Sequence, residues 1–297
     1  MLSFARITKS QVDEFKRYYP PHGMGCEFNL VSAYLWSREY NTGFAVVDET
    51  LIRAYFRDDG RVWGYCVPVG RNVEGACEAV FADAADRGEP CCFGYLSNGD
   101  RETLERLYPG FFEFARETDT QDYIYLSRDL ATLEGKKYHA KRNHISKFYR
   151  NYEDASFRTM DGGNLGDAMR VMELWCSENG YDAAEYGEYA VVREALERFE
   201  EFKMSGALLY VDNKPVAMTM GSPLSDVCFD VGFEKALREY DGSYAVINNE
   251  FAKTLTRYTY INREEDLGLE GLRKAKLSYH PAIIYDRWFA SPRVSQR

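Results

Sequence analysis

Alternation of apolar and polar residues marks three strands early in the chain, at 43–47, 50–56 and 62–67, the last reading Val62-Trp63-Gly64-Tyr65-Cys66-Val67. The period then lengthens. Val73, Ala76, Cys77, Val80, Phe81 and Ala84 recur at helical spacing over 73–86, between Gly70 and Gly88. A strand at 91–96, a helix at 100–108 opened by Asp100, and extended segments at 111–116 and 122–127 follow.

The same order returns in the second half. Strands are predicted at 207–212, 215–221 and 226–233, with Asp212-Asn213-Lys214-Pro215 as a hairpin turn. A helix at 243–257, a strand at 258–262, a helix at 268–276 and a last strand at 282–289 complete it. Equivalent elements are displaced by about 165 residues, too long a period for a solenoid, so the pattern is a duplicated β-β-β-α-β-α-β unit. Two helices precede the second copy, at 164–177 and 186–204. In the latter Tyr186, Tyr189, Val192, Leu196, Phe199 and Phe202 form one apolar stripe. The expected fold class is α/β (α+β), as two tandem domains, 1–133 and 134–297, each a mostly antiparallel mixed sheet flanked by helices. A basic connector helix, 134–152, opens the second.

Composition narrows the function classes. The 297 residues carry 37 Lys and Arg against 47 Asp and Glu, a net charge of −10, which disfavours wholesale coating of nucleic acid but leaves room for a local basic groove. No run of about 18 apolar residues exists to span a bilayer, and the first residues lack the apolar stretch of a signal peptide, so a cytoplasmic protein is expected. Seven Cys without C-x-x-C spacing read as reduced core thiols, and no metal site is expected.

Three stretches concentrate candidate chemistry. In the connector, Tyr138, Ile145, Phe148, Tyr149 and Tyr152 repeat at helical spacing, which places Lys137, Lys141, Arg142 and Lys147 on the polar side beside Asn143. Those cations are either a solvated face or a rim for phosphates. His139 and His144 are five apart and point in different directions on a helix. The second stretch runs from Asn262 to Pro281. It holds Arg263, Asp266, Arg273, Lys274, Lys276, Tyr279 and His280 just past a strand, where α/β folds form clefts. Acids near a helix start and bases near its end also complement the helix dipole, which accounts for part of this run without a site. The third is Asp230, a carboxylate inside the apolar run of a strand expected to be central. Such a group is either paired and structural or tuned for proton transfer. Next to it, the helix opened by Asp241-Gly242-Ser243 offers N–H groups to an anion, with Tyr244 and Asn248 in its first turns. G-x-S-x-G, Walker A and G-x-G-x-x-G signatures do not occur, and Cys91-Cys92 reads as core.

The element order resembles the GNAT acyltransferase fold in tandem. Tyr123-Ile124-Tyr125-Leu126, Gly135-Lys136-Lys137-Tyr138-His139, Lys141-Arg142-Asn143-His144, Asn262-Arg263-Glu264-Glu265-Asp266-Leu267-Gly268 and Leu272-Arg273-Lys274-Ala275-Lys276-Leu277-Ser278-Tyr279-His280-Pro281 resemble a bacterial family of uncharacterised proteins. That family is grouped with the C-terminal catalytic domain of phosphatidylglycerol lysyltransferases. The resemblance implies kinship with Fem-type aminoacyl transferases, whose donor is a charged tRNA. In the lipid-modifying relatives an Arg/Asp pair and a Lys before an aromatic-x-Pro element line the site; Arg263 with Asp266, and Lys276 before Tyr279-His280-Pro281, are similar. Those relatives carry a membrane-embedded portion that these 297 residues do not include, so a lipid acceptor is not the firm expectation here. This chain departs from ordinary GNAT enzymes in reading Arg238-Glu239-Tyr240-Asp241-Gly242-Ser243 where they hold the coenzyme A pyrophosphate.

The resulting expectation is an acyltransferase, by preference an aminoacyl transferase taking aminoacyl-tRNA as donor to a lipid hydroxyl, amine or peptide. It needs no resident cofactor, and coenzyme A is the less favoured donor. In that reading Lys276 and Arg263 stabilise charge or contact phosphate, Asp230 or Asp266 serves as base or orienter, Tyr279 donates a proton, and Lys137, Lys141, Arg142 and Lys147 contact tRNA phosphates. A noncatalytic binding module of the same fold and a coenzyme A-dependent N-acetyltransferase are the alternatives.

Overall fold

A computed structural model describes residues 1–293. The elements follow in chain order. Helices α1 (Lys9–Glu14) and α2 (Leu30–Leu35) precede strands β1 (Thr42–Val47), β2 (Thr50–Phe56), β3 (Val62–Tyr65) and β4 (Val69–Gly70). Then come α3 (Val73–Arg87), β5 (Phe93–Leu96), α4 (Asn98–Leu107), β6 (Phe112–Arg116), β7 (Asp122–Leu126) and α5 (Ser127–Thr132). The connector forms a short 3₁₀ turn and α6 (His139–Asn151), and β8 (Ser156–Thr159), α7 (Leu165–Glu178) and α8 (Gly187–Glu197) follow. The rest is β9 (Ser205–Val211), β10 (Lys214–Pro223), β11 (Cys228–Ala236), α9 (Ser243–Thr254), β12 (Tyr260–Asn262), α10 (Glu270–Leu277), β13 (Ile283–Tyr285) and β14 (Trp288–Pro292).

Two mixed sheets flanked by helices result, as the fold class requires. The first has the order β1-β2-β3-β5-β14-β6, with β4 also on β2; the second runs β13-β7-β12-β11-β10-β9-β8. Each contains a parallel pair at the equivalent place, β3 with β5 and β11 with β12. The β9–β10 hairpin closes through Asp212 and Asn213 at φ of 50° and 58°, the left-handed pair that a two-residue turn needs to follow the strand twist.

The compact units are not contiguous in sequence. One comprises Met1–Asp122, Glu265–Glu270 and the described part of Ile284–Arg297; the other comprises Tyr123–Glu264 and Gly271–Ile283. The boundary read from the sequence, between 133 and 134, falls inside the second unit, and residues 294–297 of the expected second domain lie outside the described residues. The single last strand expected at 282–289 is a correction. It breaks at Asp286-Arg287 into β13 and β14, and β14 inserts antiparallel between β5 and β6 of the first sheet. Reciprocally, β7 pairs antiparallel with β12 in the second sheet. Helix α8 is also shorter than expected, ending at Glu197, although Phe199 and Phe202 beyond it are still buried.

Apolar faces fill each unit. In the first, Ile52, Ala54, Tyr65, Val80, Phe93, Leu96, Leu104 and Phe112 form the core. In the second, Tyr125, Leu130, Tyr138, Phe148, Leu209, Phe229, Val246, Ile247 and Phe251 do so. Tyr138 and Phe148 thus take the inward places read from the connector pattern, while Tyr149 does not; it is exposed, its hydroxyl 3.5 Å from Glu250 Oε1. All seven Cys are free thiols, four of them buried. In the first unit the break before β14 buries Arg287 completely, where its Nη2 pairs with Glu27 Oε2 at 2.5 Å and Asp122 Oδ2 at 2.9 Å. The backbone N–H of Cys26 also donates to Asp122, at 2.7 Å.

Candidate functional site

The second unit gathers its polar chemistry around the end of β11, the end of β12, the first turns of α9 and the inner face of α6. Arg263, the residue after β12, is held in place by its backbone N–H donating to Tyr123 O on β7. Its guanidinium pairs with Glu234 of β11 at 2.8 Å, and both side chains are mostly buried. The rings of Tyr125 and Tyr279 lie 5.7 and 5.2 Å from the guanidinium carbon, within cation–π range.

Glu234 is also approached by Asn248 of α9, whose Nδ2 lies 3.4 Å from Oε2. Two buried atoms of this cluster have no hydrogen-bond partner among the described residues, Arg263 Nη1 and Asn248 Oδ1. One is a donor and the other an acceptor, so the cluster can take a ligand that offers both. Buried polar groups are rarely left in this condition without a role.

Lys141 corrects the sequence reading of α6. It does not stand on the polar side; its Nζ lies 3.8 Å from the centre of the Tyr279 ring. Burial, with Arg263 nearby, pushes its ammonium down from 10.5 to about 8. Burial raises the Tyr279 phenol to about 12, so this hydroxyl is a proton donor at neutral pH.

Lys276, on α10, is buried and donates to the carbonyls of Arg263 and, at 3.0 Å, of Glu264. It thereby fixes the turn that carries Arg263. Tyr125 Oη donates to Lys276 O at 2.8 Å and Tyr138 Oη to Tyr279 O at 3.0 Å, so buried phenols anchor the α10 end as well. Asp230 is fully buried on β11, in register with Asn262 of β12. Asp266 is fully buried in a segment of the first unit, where its Oδ1 accepts from Gly268 N at 2.9 Å and shapes the turn.

The remaining candidates spread outward. Lys137 pairs with Asp129 at 3.1 Å, Lys147 with Asp241 at 2.8 Å, and Arg142 donates to the carbonyls of Leu133 and Gly135 at the end of α5. Asn143 Nδ2 meets His139 Nδ1 at 3.3 Å, and His280 Nε2 lies 3.3 Å from Lys137 O. Tyr244 is exposed and receives Trp175 Nε1 at 3.2 Å; Arg273 and Lys274 are on the outer part of α10. The structure therefore brings together Arg263, Lys276, Tyr279, Lys141 and Asn248, and leaves Arg142, Asn143, Lys147, Tyr244, Arg273, Lys274 and His280 in local contacts or on the surface. Glu234 and Tyr125 are the members that sequence reasoning missed. Glu234 hid as a polar residue near a strand end, because the sequence does not say that its strand pairs with the one Arg263 follows.

The model for the phosphatidylglycerol lysyltransferase C-terminal family matches residues 22–291. A conserved protein of unknown function from Bacteroides thetaiotaomicron is 35% identical, with a TM-score of 0.91 over 99% of this chain and 100% of that one. The structure of L-PGS from Bacillus licheniformis shares the fold at 14% identity, with a TM-score of 0.67 over 97% and 92% of the two chains. FemX shares it at 10% identity, TM-score 0.60, over 97% of each. Family and fold together support a function of the acyl- or aminoacyl-transferase type. By a match across most of its length, this chain belongs to the phosphatidylglycerol lysyltransferase C-terminal family.

Proposed function

We propose that this protein transfers an aminoacyl group from a charged tRNA to a nucleophilic acceptor, at the Arg263–Glu234 cluster of the second unit. The observation that carries this reading is the unclaimed donor and acceptor beside a buried ion pair, Arg263 Nη1 and Asn248 Oδ1. An aminoacyl ester presents a carbonyl oxygen, on which negative charge develops during attack, and an α-amino group that donates. Arg263 Nη1 faces the first need and stabilises the oxyanion; Asn248 Oδ1 and Glu234 face the second. The neutral amine of Lys141, accessible because its ammonium is lowered to about 8, takes the proton from the attacking hydroxyl or amine, and the protonated Tyr279 phenol gives one to the leaving ribose oxygen and is restored by the Lys141 ammonium. Lys276 is a positioning residue that holds the Arg263 turn.

The surface cations of the connector suit tRNA phosphates. Lys137 and Lys147 are about half exposed, where water and salt screen their ion pairs, so exchanging Asp129 or Asp241 for a phosphate costs little. Coenzyme A is disfavoured as donor by the start of α9. Gly242 there packs so close to α6 that a Cβ would lie 3.2 Å from His144 O, and Arg238 is engaged with Asn179.

The test has two parts. Filter retention of charged tRNA should fall steeply between about 50 and 200 mM salt, because phosphate contacts release counterions. Label should then pass from aminoacyl-tRNA to a lipid, amine or peptide acceptor with native protein and not with Arg263→Met. Retention indifferent to salt, or label transfer equal in Arg263→Met, contradicts the reading.

A further inference from the structure

The second unit carries an aromatic stack that the transfer chemistry leaves unused. Trp175 of α7, Tyr181 in the connection to α8 and Tyr186 at the start of α8 lie with ring planes within 14–33° of one another, at centroid separations of 4.5–6.1 Å. Trp175 Nε1 donates to Tyr244 Oη at 3.2 Å, which ties the first turn of α9 to the same group. These rings are not all core, since Tyr181 is 47% and Tyr244 44% exposed. Flat rings held near-parallel at a surface suit another flat ring, and the flat ring that an aminoacyl-tRNA brings is a base.

Position selects which base. Tyr244 and Asn248 are four residues apart on α9 and so share a side of the helix, and Asn248 belongs to the Arg263–Glu234 cluster. At the start of the same helix Lys147 of α6 pairs with Asp241 at 2.8 Å, and a Cβ on Gly242 would lie 3.2 Å from His144 O. The first turns of α9 thus adjoin the ester site, the aromatic rings and the connector cations. In an aminoacyl-tRNA a single ribose joins the ester, the terminal adenine and the phosphate chain, so one donor end meets all three.

Charge around the rings agrees. Lys235, whose Nζ lies 4.2 Å from the centre of the Trp175 ring, is paired with Glu188 at 2.8 Å. Glu178 accepts from Arg238 N at 3.0 Å, and Asp182 and Glu185 are exposed beside Tyr181 and Tyr186 in the chain. Phosphates are repelled there, whereas a neutral base is not.

We propose that Trp175, Tyr181 and Tyr244 seat the 3′-terminal adenine of the donor tRNA, with its phosphates directed toward the connector cations. This rests on the transferase reading and adds to it a base-binding site.

Tryptophan fluorescence of the full chain tests it, titrated at constant salt with the ribotrinucleotide CCA and with the same trinucleotide ending in an abasic ribose. CCA should quench, Trp175→Phe should abolish the quench, and the abasic form should bind at least about tenfold more weakly, the loss expected for one base stacked on an aromatic ring. Tyr181→Leu and Tyr244→Leu, at exposed positions, should each weaken CCA severalfold and leave the abasic form unchanged. Equal affinity for the two trinucleotides, a quench that persists in Trp175→Phe, or CCA affinity unchanged in both Leu variants each overturns the proposal. Should a variant not fold, the comparison of the two trinucleotides on the native chain decides alone. Label transfer that is lost in Arg263→Met, beside equal affinity for the two trinucleotides, would keep the transferase reading and remove this one; an adenine-dependent quench in a protein that transfers no label would do the reverse.

Discussion

Lys141 sits where an ammonium is poorly solvated, against the Tyr279 ring and near the Arg263 cation. Its proton is held more weakly in the folded chain than in the unfolded one, about 8 against 10.5. Between those values the unfolded chain binds more protons, so stability should rise with pH across that window, and Lys141→Met should remove this slope in urea titrations at several pH values. If Lys141 is the base, transfer rate should climb about tenfold per unit below pH 8 and level off above it. A flat profile, or Lys141→Met with native rate, removes Lys141 from that role. At this scale the sequence was partly legible. Arg263, Lys276 and Tyr279 stood out because cations and an aromatic followed a strand end. Glu234, Tyr125 and the inward turn of Lys141 did not, because a side chain three residues from Tyr138 on a helix has no sequence signal for which neighbour it will meet.

At the scale of elements, α9 is the hub of the second unit, and its polar inner residues show why a helix pattern alone does not describe it. Asn249 is buried and its Nδ2 donates to Leu130 O and Ala131 O, at 2.7 and 2.9 Å, capping the end of α5. Asn249→Ala should leave those carbonyls unsatisfied and cost about 1–3 kcal/mol, read as a lower urea midpoint with unchanged m value. A midpoint equal to that of the native chain would mean the carbonyls find other donors. Most elements lie within a few residues of the positions that periodicity marks, since apolar alternation and helical spacing are local properties. The end of α8 was misplaced because Phe199 and Phe202 continue its stripe while the backbone after Glu197 has already left the helix. Which strand pairs with which is a different kind of information. Residues 288–292 read as a strand, but nothing in alternation names β5 and β6 as its neighbours.

The whole molecule is tied by that pairing. A piece ending at 133 has β6 but not β14, the strand between β5 and β6, and the complementary piece lacks β7, the neighbour of β12. Neither piece should unfold cooperatively alone, whereas the two expressed together should restore a single transition followed by circular dichroism. Either fragment melting cooperatively by itself would show that the exchanged strands are dispensable. Arg287 reinforces the same closure, since it enters the first unit with β14 and pairs with Glu27 and Asp122 there. During synthesis this has a temporal consequence. The half of the protein made first is the half completed last, because about 170 residues must still be polymerised after β6 before its missing strand exists, about ten to thirty seconds at ordinary elongation rates. For that interval β5 and β6 are open hydrogen-bonding edges on a nascent chain, so its vulnerability to aggregation is governed by translation speed as much as by the stability of the finished fold.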